Sequence, residues 1–104
     1  MLMENERYDF LLREKLEIIQ NEEVFSFSTD ALLLAHFTKV KKKDVIMDLC
    51  SGNGVIPLLL SHKGNQFIEG IEKQEQLVNM AKRSIAHNHL NKSCLLYTSD
   101  AADE

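Results

Sequence analysis

The sequence predicts an α/β fold, a parallel sheet with flanking helices, growing outward from one strand–turn–helix unit. Three observations lead there. Val45 to Leu60, VIMDLCSGNGVIPLLL, passes from an apolar β-type run through a small-residue turn into a helical apolar run. Gln66 to Ile71 is a second strand-like run, closed by the acid Glu72. Lys73 to about Asn88 carries Leu77, Met80, Ala81, Ser84 and Ile85 at helical spacing, so that one face meets a sheet. Strand, glycine turn, helix, strand, helix is the order of a nucleotide-binding βαβ unit.

The remaining elements follow in chain order. Glu6 to Leu16 reads as a short helix, with Tyr8, Leu11, Leu12 and Leu16 at helical spacing. Leu16 to Gln20 alternates like a strand, and Val24 to Phe27 resumes an extended run after the turn candidate Asn21-Glu22-Glu23. Those two runs suggest a small hairpin, which must pack on the rest of the chain to be stable. Ser28 or Thr29 can cap a following helix with Asp30 in its first turn. Ala31 to Phe37 is apolar nearly all round, which predicts a largely buried helix. Lys39, Lys41, Lys42 and Lys43 then lead to the first sheet strand. They suit a solvated loop, and RNA phosphates are the alternative partner. The organisation is residues 1–39 as an N-terminal helix with hairpin and then the Asp30 helix, 40–93 as the βαβ unit, and 94–104 as a non-native tail.

Composition bounds the function classes. The chain has 104 residues, 44% of them apolar and 27% charged, with a net charge of -4, which fits one ordinary globular domain at most. No apolar run is long enough for a membrane span, and Met1 to Arg7 lacks the make-up of a signal peptide. Cys50 and Cys94 show no metal-ligand spacing, so no metal is expected and a reducing cytoplasm is the natural compartment. His87-x-His89 has too few partners for a metal site, and His36 and His62 are assigned no function.

The turn discriminates between ligands. Its order is Asp48-x-Cys50-x-Gly52-x-Gly54, with Pro57 where a dinucleotide fingerprint has its third glycine. A carboxylate at the mouth of the turn would repel a pyrophosphate and suits a cationic or zwitterionic ligand, which disfavours an NAD site. The pattern resembles motif I of the S-adenosylmethionine (SAM) methyltransferases, D/E-x-G-x-G-x-G. Cys50 departs from it at the first glycine, so the turn there must be made without positive φ. Glu72 stands 24 residues beyond Asp48, at the same sheet edge, where ligands of open α/β sheets bind. A carboxylate there can accept hydrogen bonds from both ribose hydroxyls.

Residues 1 to about 93 resemble the N-terminal half of the bacterial tRNA-Val adenine N(6)-methyltransferase family, its Firmicute-type members above all. NERYDFLLREKLEIIQ, VFSFSTDALLLAHF, DLCSGNGVIPLLLS and GIEKQEQLVNMAKRSIAHN carry the resemblance. It implies a Rossmann-like SAM-dependent methyltransferase fold of which this chain is an incomplete N-terminal part. It further implies that Asp48, Cys50, Ser51, Gly52, Asn53 and Gly54 hold the methionine part of SAM. Glu72 would hold the ribose, and Asp30 would lie near the methionine end. The expected substrate is the exocyclic amine of an adenine in tRNA. A protein glutamine or DNA adenine, or a non-catalytic nucleotide-binding role, is the alternative.

That family holds the substrate amine with an Asn-Pro-Pro-Tyr segment after the fourth strand. No such segment occurs here, and Pro57 is the only proline. No catalytic residue is therefore assigned, and the chain alone is expected to transfer no methyl group and to hold SAM weakly. Cys94 to Glu104, CLLYTSDAADE, resembles a translated sequencing-library adapter; a third strand over Cys94 to Tyr97 is the alternative. The tail contributes Asp100, Asp103 and Glu104 and no Lys or Arg, so the chain's acidity is no argument against an RNA partner. An adapter-free read of the source DNA beyond the Ser93 codon is expected to run through a third strand into Asn-Pro-Pro-Tyr. Eleven genomic tail codons followed by a stop would refute this.

Overall fold

The computed structural model describes residues 2–11, 16–21, 23, 29–49, 51–61 and 67–98. Its elements in order are β1 (Arg7–Leu11), β2 (Leu16–Gln20), α1 (Thr29–Phe37), β3 (Val45–Leu49), α2 (Val55–Ser61), β4 (Phe67–Glu72), α3 (Glu75–His87) and β5 (Cys94–Thr98). β3, β4 and β5 form a parallel sheet in that order, and β1 pairs with β2 in a separate antiparallel ribbon. Parallel strands need crossovers, which α2 and α3 supply.

Register decides which side chains meet the helices. Ile46 aligns with Ile68, and Ile68 with Cys94; one step on, Asp48 aligns with Gly70, and Gly70 with Leu96. This face joins Leu58 of α2 and Val78, Ala81 and Ile85 of α3 in one core. α3 turns the face read from its spacing inward, with Val78 added to it. Glu72 shares the covered face and closes β4, as the sequence implied.

Three expectations need correction. The helix expected over Glu6 to Leu16 is not formed: Arg7 to Leu11 is strand β1, with Tyr8 opposite Ile19 and Leu11 opposite Leu16. Its apolar residues fit either period, and pairing with β2 decides. The hairpin therefore exists, but β2 takes its partner from upstream; Val24 to Phe27 lie outside the described residues. α1 is not largely buried. Ala35 is its one buried residue, while Leu33, Leu34 and Phe37 are exposed, because the helix packs on α2 along one side only. β3 is likewise covered on one face, with Val45, Met47 and Leu49 open to solvent.

The tail residues Cys94 to Thr98 form β5, with Cys94 and Leu96 buried against the helices. Ser99 to Glu104, the cap candidate Ser28 and the turn residue Cys50 lie outside the described residues. No described helix is long and apolar enough to cross a membrane.

The ribbon is fastened to α3 by an ion pair. Arg83 donates from Nη1 and Nη2 to the two carboxylate oxygens of Glu6, at 2.5 and 2.6 Å. The Glu6 side chain is 1% exposed, and the Arg83 hydrogen bonds hold its pKa below 4.5 despite burial. A depressed carboxylate pKa gives stability that is complete above the unfolded value and is lost as pH falls through the folded one. Glu6→Gln should therefore cost about 1–3 kcal/mol at neutral pH, the scale of charged hydrogen bonds. That gap should close well below pH 4.5. Urea unfolding of both chains at the two pH values measures it, and a gap independent of pH would refute it.

Candidate functional site

The candidate site is the edge where β3 and β4 end together. Parallel pairing puts Asp48 beside Gly70 and Leu49 beside Ile71, so the turn after β3 opens next to Glu72. Ser51 donates its backbone N–H to the Ile71 carbonyl at 2.9 Å, which carries the chain across to β4. Gly52 and Gly54 take φ of +58° and +86°, the left-handed region that costs other residues about 1–2 kcal/mol. Gly54 accepts from the Leu58 amide at 3.1 Å, so α2 starts directly from the turn. Val55, Leu58, Leu59 and Leu60 then anchor that helix in the core.

Glu72 binds the turn shut. It is 8% exposed. One carboxylate oxygen accepts the Gly52 amide at 3.0 Å, and the other accepts the Gln74 amide at 2.8 Å. The same side chain thus secures the glycine turn and the entry to α3. Each oxygen keeps a further lone pair for an external hydroxyl.

Asp48 sits on the covered face, half-buried, with Ser51 Oγ 2.8 Å from its Oδ2 and 2.9 Å from its carbonyl oxygen. Burial raises its pKa above 3.8, and the Ser51 hydroxyl opposes that shift. A desolvated carboxylate with one hydrogen-bond donor is a site short of positive charge.

Two glycines act through the volume they leave empty. A Cβ on Gly54 would stand 2.9 Å from Ala81 Cβ in α3, and one on Gly70 would stand 2.4 Å from Ser51 Oγ. Gly70 was not among the residues singled out from sequence. A lone glycine inside a strand is the signal that marks such a close approach. Asn53 is wholly buried, and its side chain points to the ribbon: Nδ2 donates to the Ile19 carbonyl at 3.1 Å. Its Oδ1 has no partner among the described residues.

The structure thus brings together Asp48, Ser51, Gly52, Gly54 and Glu72. Asp30 stands exposed in the first turn of α1, with no hydrogen bond to this cluster among the described residues; α1 itself packs on α2. The lysines Lys39 and Lys41 to Lys43 are exposed, and Asp44 accepts the Lys41 amide to close their loop. His87 stacks on Tyr8 with ring centroids 4.2 Å apart and contacts Glu17, so it serves the ribbon.

The sequence profile of the methyltransferase small domain matches residues 15–104. The chain belongs to that family. Members are SAM-dependent methyltransferases, and the α/β architecture with a parallel three-stranded sheet is part of their Rossmann-like fold. No curated protein sequence matches the chain. Among solved structures it is similar to Methanocaldococcus jannaschii Trm5 in complex with adenosine, with 16% identity over 99% of this chain and 32% of that one, TM-score 0.76. It is also similar to M. jannaschii TYW2 in complex with AdoMet, with 15% identity over 97% and 47% of the two chains, TM-score 0.76. A third is the Pyrococcus abyssi tRNA (uracil-54, C5)-methyltransferase in complex with S-adenosyl-L-homocysteine, with 16% identity over 93% and 24%, TM-score 0.69. The chain spans less than half the length of each.

The described residues fit SAM in chemical kind. Gly52 and Gly54 leave the turn without Cβ atoms, Glu72 keeps acceptor capacity for a diol, and Asp48 lacks a counter-charge. Two consequences can be measured. Gly70→Ala should push Ser51 off Asp48 and cost about 1–3 kcal/mol by overpacking, read by urea unfolding. Asp48→Asn should raise the stability of the ligand-free chain. A raised folded pKa means the wild type loses stability as pH climbs from 3.8 through that pKa, a loss the amide escapes. Melting curves across that range should show the Asn variant pulling ahead and then holding its lead; equal curves would refute the burial argument.

Proposed function

We propose that this chain is the cofactor-binding part of a SAM-dependent methyltransferase that acts on the exocyclic amine of an adenine in tRNA. The observation that supports it most is the buried Glu72 bridge. It fixes two backbone amides at the sheet edge while keeping lone pairs free for a ribose. In this reading Glu72 accepts the ribose hydroxyls, and the turn from Ser51 to Gly54, with Cys50, cradles the methionine part. Asp48 faces the positive charge, and Asp30 stands at the methionine end. Bound SAM supplies an electrophilic methyl group on a sulfonium sulfur. The chain's own part is to bind, orient and offset charge.

The adenine and tRNA assignments rest on the four sequence segments quoted above. One of the similar structures is a tRNA methyltransferase by name, and exposed Lys39, Lys41, Lys42 and Lys43 offer phosphate contacts. The residues that would grip the amine are not among these 104, since no Asn-Pro-Pro-Tyr segment is present. The chain by itself should therefore show no turnover on tRNA.

Titration of the 15N-labelled chain with S-adenosylhomocysteine tests the cofactor assignment. The amides of Gly52, Gly54 and Lys73 should shift saturably, with weak affinity, and NAD should not displace the ligand. No shift at millimolar ligand, or equal response to NAD, would overturn it. The substrate is tested by mass spectrometry of tRNA from cells with and without the intact gene. N(6)-methyladenosine should be lost with the gene, and an unchanged adenine with loss of another methylated base would sink the adenine reading.

A further inference from the structure

We propose that Asn53 is a positioning residue, which holds the glycine turn in its ligand-accepting form by tying it to the N-terminal ribbon. Glu72 holds the turn from outside at Gly52, and Ser51 Oγ bonds back to Asp48; Asn53 is the described side chain of the turn that reaches the ribbon. Gly52 and Gly54 on either side lack one, and both occupy left-handed φ that glycine can also leave easily. Asn53 is fully buried between them, and its Nδ2 reaches the Ile19 carbonyl at 3.1 Å and Gln20 Oε1 at 3.4 Å. Both partners are acceptors, so the amide can point only its nitrogen at β2. Reversal would set oxygen against oxygen. The consequence is the unpartnered Oδ1, whose burial is unfavourable and is accepted for the sake of the link.

The ribbon is a firm anchor because its outer edge is satisfied by side chains in place of a third strand. Asn88 accepts the Glu17 amide at 2.9 Å and donates to the Glu17 carbonyl at 2.6 Å. Ser84 Oγ accepts the Ile19 amide at 2.9 Å. Asn53 completes the row by donating to the Ile19 carbonyl, and it is the one member that comes from the turn and not from α3. Ser84 and Asn88 therefore fix the ribbon to α3, and Asn53 transmits that position to Gly52, whose amide Glu72 must meet.

Amide hydrogen exchange of the full 104-residue chain tests this, with the Gly52 amide as reporter and the Ile68 amide, bonded to Ser93 in the sheet, as reference. In Asn53→Asp, Gly52 protection should fall at least tenfold more than that of Ile68. In Ile85→Val, a core change outside this row, both should fall by the same factor, as in a general loss of stability. Asn53→Ala carries the same expectation without a buried charge if the Asp variant does not fold. Equal losses at Gly52 and Ile68 in the Asn53 variants would overturn the proposal. A ligand arm rests on the SAM reading: S-adenosylhomocysteine should bind Asn53→Ala at least tenfold more weakly than Ile85→Val, and equal affinities would also overturn it. Should the wild type bind no S-adenosylhomocysteine while Gly52 still loosens selectively, the turn-positioning role stands and the cofactor reading fails.

Discussion

A buried carboxylate that accepts from two backbone amides is the constraint on which this site depends. Glu72 can reach both only because β3 and β4 run parallel and end level, so that the turn leaving one strand passes the last side chain of the other. The register is set in turn by the covered face, where Ile46, Ile68 and Leu96 must meet α2 and α3. A slip of one residue would send Glu72 to the opposite face and leave the Gly52 amide without its partner. Core packing and site geometry are therefore one specification.

The same economy appears in the glycines. Gly70 has no place in the core by hydrophobicity, yet it lets Ser51 approach β4 and keep its hydroxyl on Asp48. Asp48 pulls in the other direction. Half-burying a carboxylate with a single hydroxyl donor disfavours its charge, so the ligand-free chain holds an unrelieved charge site. In the proposed site, stability and binding would be opposed at Asp48 and aligned at Gly70 and Glu72.

The sheet unit was legible in the sequence because its signals are local. The Val45–Leu60 run, the positive-φ glycines and the strand-end acid each follow from chain neighbours alone. The N-terminal ribbon was not, because its pairing is settled elsewhere. Arg7 to Leu11 satisfies helical spacing as well as strand alternation, and the choice falls to β2 and to the side chains Ser84 and Asn88, which are more than sixty positions away. Asn53 was read as a ligand contact on its place in the motif; its contacts run to the ribbon, which no spacing rule could show. β5 forms because its backbone pairs with β4 and its alternate residues Cys94 and Leu96 fill the covered face, and such a fit is indifferent to where the residues came from.

The exposed apolar surface has the same origin as the misjudged burial of α1. The sequences of α1 and β3 both carry apolar residues on two sides, yet the described residues cover only one. Val45 and Leu49 of β3 are 69% and 68% exposed, and Phe37 of α1 is 74% exposed. Parallel strands are ordinarily covered on both faces, and β3 also stands at the sheet edge with its outer backbone groups unpaired within the sheet. The two successive crossovers α2 and α3 have both gone to the same face, where they complete the core, so nothing in these elements can cover the other. The pattern of the sequence therefore specifies a strand interior to a larger sheet. The edge where the turn meets Glu72, by contrast, draws on β3, β4 and the ribbon behind the turn, all of them on the covered side, which is why its geometry is formed here while the opposite face stays open.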